Sequence, residues 1–358
     1  MAAAAVAERA PQAGRVMVVT YNLLAPTLCH ANRFVTSDPQ NLEPERRFDK
    51  ILNKLEGYVK QDAIICLQEV SMTWGGRLHA WFAQQRYTFV PTFYGSPYAD
   101  YMGVGVAFPT EKYREGAIDI KRVSDVAKPS RPRNSPDVSW YGWLAKKGTH
   151  VQLALRALAG LAPPPPPPKT HWEAARGRYN RMVSVTLEHP DTGGEFTVAT
   201  YHMPCAFYNP PMMTLHAAWC AEHAFRVANG RPLVLCGDFN LKPRDPGYEM
   251  LTTAALASES DWPDYPEVPG ATWRAGQKSR PLVSAYAHLE GCEPEMTNWA
   301  HDPQKEPFID CLDYVFATPD LTPIEAQPLP PVVAGNGPYP SVAEPSDHLL
   351  LAVTFTLP

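Results

Sequence analysis

An α/β fold is predicted by three features of the chain. Short apolar, β-branched runs alternate irregularly with amphipathic helical repeats. Five such runs are bordered by a carboxylate, amide or imidazole: Thr20-Tyr21-Asn22, Leu67-Gln68-Glu69, Gly237-Asp238-Phe239-Asn240, Leu312-Asp313-Tyr314 and Ser346-Asp347-His348. That is the imprint of strands carrying polar groups to one rim of a sheet. Finally, no repeat period and no clean compositional boundary divides the chain, so strands from both halves must meet.

The elements follow in order. Residues 16–21 are apolar and β-branched, as in a buried strand. Residues 44–61 predict an amphipathic helix, because Phe48, Ile51, Leu52, Leu55 and Val59 recur at three and four. Residues 62–70 form a second strand ending on Gln68-Glu69. A helix is expected near 77–85, then strands near 87–93 and 103–108. Residues 182–187 and 196–201 read as a hairpin turning through Asp191-Thr192-Gly193-Gly194. Residues 211–228 are helical, with proline in the first turn. A buried strand at 233–236 leads into Gly237-Asp238, and a helix begins near 248–254. Strands at 312–317 and 349–355 close the fold.

Domain organisation follows from the same pass. Residues 1–14 are Ala-rich, contain Glu8 and lack an apolar core segment, so a flexible lead is expected rather than a secretory signal. Residues 15–358 are read as one domain. It carries a surface insertion at about 124–170, where periodicity is weak and six prolines at 163–168 make a stiff spacer.

Of the 358 residues, 45% are hydrophobic and 19% charged, which suits a sizeable core. No apolar run is long enough to span a bilayer, so no membrane association is expected. Seven scattered cysteines without a CxxC pair fit a reducing compartment, cytoplasmic or nuclear. His202-x2-Cys205 and Cys220-x2-His223 have zinc-like spacing, but the second pair falls in an amphipathic helix, so a closed zinc site is not expected. The net charge of −5 argues against general sticking to nucleic acid. Yet residues 121–181 hold twelve Lys/Arg and three Asp/Glu, which would draw a polyanion to one face.

The strand-end residues have a common chemistry. Glu69 and Asp238 each end a buried strand, where an unpaired carboxylate is costly. A hard divalent cation resolves that cost, and magnesium takes one or two carboxylates, water and phosphate. Asn22 and Asn240 can hydrogen-bond phosphate oxygens, or orient a carboxylate, without adding repulsion. Asp313 can fix the His348 tautomer, so that the imidazole polarises water or stabilises phosphoryl charge. Asp347 can ligate metal or orient water. His202 can protonate a leaving oxygen or bind the scissile phosphate.

Together the five motifs resemble the endonuclease/exonuclease/phosphatase superfamily, from about residue 16 to residue 355. The resemblance implies a DNase I-like, four-layer αββα sandwich: two mixed sheets packed face to face with helices outside. It also implies Mg2+-dependent phosphoester hydrolysis, with Mn2+ as an alternative ion. Within the superfamily, Tyr21-Asn22-Leu23-Leu24-Ala25, Glu45-Arg46-Arg47, Ile65-Cys66-Leu67-Gln68-Glu69-Val70 and Glu293-Pro294-Glu295-Met296-Thr297-Asn298-Trp299 are similar to the catabolite-repressor deadenylase, nocturnin and angel branch. That branch implies metal binding by Glu69, Asn22 and Asp347, and catalysis by Asp238, Asn240, His348, Asp313 and His202. It implies substrate contacts from Asn22, His202, Asn240, Asn298, Phe308 and Pro204 (or Pro210), with Phe308 stacking on adenine.

Some residues depart from the branch. No leucine-rich repeat precedes the nuclease region, so docking to a larger deadenylase assembly by that route is not expected. Tyr201-His202-Met203-Pro204-Cys205 differs from the usual Thr-His pattern, and Asp310 replaces a small residue, either as a spare ligand or as a surface charge.

The expected activity is 3′-5′ exoribonucleolytic, on poly(A) or a related adenylate ester. The alternatives are a 2′,5′-oligoadenylate phosphodiesterase and a nucleotide or cyclic-phosphate phosphatase. An inositol phosphatase lacks support because its signatures are absent. An abasic-site endonuclease would need a strongly basic DNA clamp, and an inactive binding module would not keep every catalytic residue.

Overall fold

A computed structural model describes residues 14–126, 169–256, 279–300, 306–333 and 337–358. The lead expected at 1–14, apart from Gly14, and most of the insertion expected at 124–170 lie outside the described residues.

The first sheet contains β1 (Arg15–Asn22), β2 (Ile64–Val70), β3 (Tyr87–Tyr94), β4 (Met102–Pro109), β13 (Thr322–Ala326) and β14 (Leu351–Thr356). Their order is β13-β14-β1-β2-β4-β3. The second contains β5 (Arg114–Arg122), β6 (Arg181–Glu188), β7 (Glu195–His202), β8 (Leu233–Asp238), β9 (Val283–Ser284) and β12 (Asp313–Ala317). Their order is β5-β6-β7-β8-β12-β9. Both sheets are mixed: β1–β2 and β7–β8 are parallel and the other pairings antiparallel. A ribbon of β10 (Asn298–Ala300) and β11 (Phe308–Asp310) stands apart from both.

Alternation along the strands builds the layers. Val16, Val18, Ile64, Cys66, Val104 and Val353 of the first sheet meet Val183, Val185, Val198, Val234, Cys236 and Val315 of the second. Their neighbours in sequence face outward. In the first sheet, Val19, Tyr21, Ile65 and Leu67 pack under helices α1 (Pro44–Val59) and α2 (Met72–Gln84). In the second, Ala199, Tyr201, Leu235 and Phe316 pack under α4 (Pro210–Ala228), with the short α3 (His171–Arg176) beside it. Helix α5 (Pro246–Thr253) completes that side, whereas the short α6 (Ala285–Glu290) turns Ala285 and Tyr286 into the layer between the sheets. Each fully buried aliphatic or aromatic side chain contributes about 1.5–3 kcal/mol, and three large apolar layers account for the four-layer sandwich. No described helix is long and apolar enough to cross a membrane.

The structure differs from the sequence reading at three places. Helix α2 starts at Met72, five residues before the expected 77, because the Ser71 side chain accepts from the Trp74 N–H. Gly75 lies inside it, where a Cβ would come within 2.6 Å of Phe93. Strand β5 has no sequence signature: most of its side chains are exposed, among the described residues it pairs only with β6, and a bulge interrupts it between Glu115 and Ile118. The short α6 and edge strand β13 went unread for the same lack of a long apolar pattern.

Candidate active site

Strand register sets the first part of the site. His202, Asp238 and Asp313 are direct cross-strand partners on β7, β8 and β12, so one row of the second sheet carries all three. The His202 Nε2 lies 3.4 Å from the Asp238 Oδ2. Gly237 makes this approach possible. Its φ is 143°, and a Cβ there would lie 1.9 Å from the Tyr201 carbonyl oxygen, so no other residue lets β8 run so close to β7.

The first sheet supplies the opposing groups. The register of β2 against β4 shifts between Gln68 and Val70, and the residue at the bulge is Glu69, with φ of 54°. The bulge turns the carboxylate out of the strand's alternation. Asn22, at the end of β1, donates through Nδ2 to the Glu69 Oε1 at 3.3 Å and the Asp238 Oδ2 at 2.9 Å. One amide therefore links carboxylates from both sheets. Its own Oδ1 accepts from the Leu24 N–H at 3.0 Å, so Asn22 is placed to orient ligands rather than to offer an oxygen. The other Glu69 oxygen accepts from the Ala25 N–H at 2.8 Å. Asn240, with φ of 50°, donates its backbone N–H to the Asp238 Oδ1 and its amide to the Met203 carbonyl.

His348 closes the cluster. Its Nδ1–H donates to the Asp313 Oδ2 at 2.8 Å, and its Nε2 stands 3.7 Å from the Asp238 Oδ2. Thr297 donates to the same Asp313 oxygen at 2.7 Å. Burial pushes the Asp313 carboxyl up to about 6, against the pull of the neighbouring imidazole. Burial also opposes charge on His348, but the Asp313 and Asp238 carboxylates outweigh it and raise the imidazole well above its ordinary range. The proton of the pair therefore resides on His348 at neutral pH.

Less obvious residues hold the loops in place. The Ser346 hydroxyl donates to the Asn22 carbonyl and accepts from the His348 N–H. Arg47 of α1 is fully buried and donates to the carbonyls of Leu23, Leu24 and Pro345, each at 2.6 Å. It thereby ties the segment after Asn22 to the segment before Asp347. Asn298 donates to the Asp347 carbonyl at 3.1 Å.

These groups open into a cleft of about 650 Å³. Glu69, His202, Asp238, Asn240, Asn298, Asp347 and His348 line it, while Asn22 and Asp313 stand behind. Pro204 lines it, and Phe308, half-buried, pairs with Phe207 at a centroid distance of 5.7 Å. Pro210 instead lines a neighbouring cavity of about 190 Å³, so of the two prolines Pro204 is the one at the cleft. Asp310 is ion-paired with Lys242 and outside the cleft lining, which resolves its role as a paired charge. Three of the four zinc-like residues have separate partners: His202 faces Asp238, Cys220 packs on the Met182 sulfur and His223 bonds Asp119, while Cys205 is exposed. Arg33, Tyr94, Arg178, Asn180 and Phe207 also line the cleft and were not read from sequence. Only Arg178 had a signal, the basic bias of residues 121–181.

The sequence matches the Endonuclease/Exonuclease/phosphatase family over residues 19–348. The chain belongs to that family. Its members are phosphoester hydrolases and generally need a divalent metal. This Endonuclease/Exonuclease/phosphatase member is 26% identical over 353 residues to 2′,5′-phosphodiesterase 12 of Mus musculus, covering 94% of this chain and 51% of the relative. It is 25% identical to the CCR4-Not complex 3′-5′-exoribonuclease subunit Ccr4 of Mycosarcoma maydis, covering 95% of this chain and 50% of the relative. The chain thus spans about half the length of the curated relatives it matches. Among solved structures it resembles ANGEL2, a 2′,3′-cyclic phosphatase, with TM-score 0.68, 18% identity and coverage of 96% and 95% of the two chains. It also resembles the human Nocturnin catalytic domain, with TM-score 0.60, 19% identity and coverage of 96% and 94%. Both share the DNase I-like fold.

The donor set of this family member fits a hard cation. Ligand-type atoms of Asp238, Asp313 and His348 lie within 4.8 Å of one another; with His348 protonated, the carboxylate oxygens are the donors of this group. Glu69 and Asp347 add two buried carboxylates. Among the described residues, the Asp313 Oδ1 and Asp347 Oδ1 are buried without a hydrogen-bond partner. Among the described residues, Arg33 lies 3.8 Å from Asp347, and the His202 and His348 imidazoles flank Asp238 and Asp313, so the four carboxylates meet few cations. Buried, under-neutralised oxygen ligands are what a divalent ion satisfies.

Proposed function

We propose that this protein is a Mg2+-dependent phosphodiesterase acting on adenylate-containing RNA, as a 3′-5′ exoribonuclease that removes poly(A). The observation that carries the reading is the Glu69–Asn22–Asp238–His348–Asp313 network at a cleft that also holds the Phe207–Phe308 pair. Mg2+ held by Glu69, with Asp347 completing the oxygen set, would neutralise phosphoryl charge as a Lewis acid. Asp238 and Asn240 orient the attacking water and the phosphate. His348, kept protonated by Asp313, stabilises the charge growing on the phosphoryl oxygens. His202 gives its proton to the leaving oxygen. Phe308 stacks on the terminal base, and Pro204 and Asn298 complete the base and sugar contacts. Seven free thiols fit a reducing compartment, cytoplasmic or nuclear.

A second reading keeps every role and changes the ester: a 2′,5′-oligoadenylate phosphodiesterase. It is favoured by the likeness to four mammalian 2′,5′-phosphodiesterase 12 proteins, each matched over 94% of this chain. Turnover of 3′,5′-linked against 2′,5′-linked oligoadenylate, beside other homopolymers and adenosine 2′,3′-cyclic phosphate, separates the readings. Glu69→Gln and Asp238→Asn are expected to lower kcat about a hundredfold or more while leaving circular dichroism unchanged. Full activity in EDTA would refute the metal role. Phe308→Ala is expected to raise KM about tenfold on oligoadenylate, in line with one lost base stack, and less on oligouridylate. Equal losses on both would reject the stacking role.

A further inference from the structure

Two connections lie side by side next to the cleft: residues 176–180, between α3 and β6, and residues 203–209, between β7 and α4. One contact joins them directly and two more tie each to the element flanking the other. The His171 Nδ1 and Asn209 Oδ1 are 2.7 Å apart, Arg178 donates to the Tyr208 hydroxyl at 2.6 Å, and Asn180 donates to the His202 carbonyl at 2.9 Å. Arg178 and Phe207 line the cleft itself. Beyond them, Tyr208 is 79% exposed and Tyr179 63% exposed.

Single exposed aromatics are ordinary, but these are organised. The Arg122 guanidinium lies 4.5 Å from the Tyr179 ring centroid and donates to the Arg176 and Arg178 carbonyls, at 2.9 Å each. A cation so anchored keeps its position beside a ring that is itself mostly exposed. The charge of these segments is positive in an otherwise acidic protein: Lys121, Arg122, Arg176, Arg178 and Arg181 outnumber Asp125 and Glu173, and Glu173 is engaged in the capping box of α3.

We propose that Phe207, Tyr208 and Tyr179, with Arg178 and Arg122, form a track for single-stranded nucleic acid leading away from the scissile phosphate. The tyrosine rings stack on unpaired bases, and the two guanidiniums meet successive backbone phosphates. A duplex would present no free base faces to such rings. This proposal rests on the phosphodiesterase reading for its geometry, since the track begins at the same cleft. It adds a length dependence that the cleft alone does not have: substrates of several nucleotides bind more tightly than a dinucleotide.

The test uses the whole chain and a fluorescent twelve-nucleotide oligoadenylate. Binding is measured by anisotropy in a Glu69→Gln background, and turnover of the dinucleotide ApA in the otherwise wild-type enzyme. The double variant Tyr179→Ala/Tyr208→Ala is expected to weaken twelve-mer binding about tenfold or more. ApA turnover is expected to stay within about twofold, since neither tyrosine lines the cleft. Tyr179→Phe/Tyr208→Phe keeps the rings and is expected to retain binding, which separates stacking from misfolding. Arg122→Gln is expected to flatten the logarithmic salt dependence by about one phosphate contact. Unchanged twelve-mer affinity in the alanine variant overturns the track, as do equal losses on twelve-mer and ApA. Equal displacement of the twelve-mer by a poly-glutamate peptide also overturns it, because the surface would then read charge alone. A wild-type protein that cleaves no adenylate ester would defeat the phosphodiesterase reading, while the anisotropy comparison would still decide the track.

Discussion

Glu69 sits at positive φ inside a buried strand, a backbone state that costs about 1–3 kcal/mol for a residue with a side chain. The Ala25 N–H and the Asn22 amide hold it there. That a carboxylate would stand at a strand end here was legible in sequence, because a polar residue ended an apolar run, and the structure places Glu69 at the cleft. The supporting residues were not. Arg47 and Thr297 fell inside the motifs, yet their roles depend on tertiary partners: Arg47 on the Pro345 carbonyl, 298 positions away, and Thr297 on the Asp313 carboxylate, 16 positions away. His216 was invisible for the same reason. It is buried, donates through Nε2 to the Ala175 carbonyl and accepts from the Tyr201 hydroxyl. Burial lowers it to about 4 from an unfolded value near 6.5, with Arg178 and Arg122 adding to the effect and the Ala175 bond opposing it. A depressed histidine stabilises the fold above its unfolded value, and that stability is lost as pH falls from about 6.5 towards 4, for about 3 kcal/mol in all. Denaturant melts of the wild type and His216→Gln across that window are expected to converge as pH falls. Parallel curves would show that His216 is not the titrating group.

At the scale of elements, apolar periodicity made α1, β2, the β6–β7 hairpin and β8 legible, because each buries a face. Strand β5 escaped because an edge strand with exposed, charged side chains carries little apolar signal. The β10–β11 ribbon escaped because each of its strands is only three residues long, yet it places Asn298 and Phe308 at the cleft. Gly237 is where an element's path is most constrained. Gly237→Ala is expected to destabilise the protein by about 3 kcal/mol or more, since the clash is with the Tyr201 backbone, which cannot rotate away. Activity should fall with it, because Asp238 is the next residue. A variant with wild-type melting temperature would contradict the close β7–β8 approach.

For the whole molecule, the αββα architecture was legible through the family motifs, whereas pattern alone gave only an irregular α/β order. Which strands neighbour one another depends on pairings between residues as distant as Val16 and Phe355. The carboxylates converge from both sheets, so a cation bound among them stabilises the folded state alone. Mg2+ at a hundredfold excess over its Kd is expected to add about 2.7 kcal/mol, read as a rise in Tm that EDTA reverses. Glu69→Gln/Asp238→Asn should show no such rise; a Tm indifferent to Mg2+ in the wild type would refute the cation site.

The Asn22 amide, reaching Glu69 on one side and Asp238 on the other, has a further consequence. Two polypeptides divided between Val126 and Lys169 would each carry an incomplete kit, since Asn22 and Glu69 reside on the first and Asp238, Asp313 and His348 on the second. Silent apart, they would regain turnover only on mixing, so the enzyme could serve as a split reporter of whatever brings its fragments together.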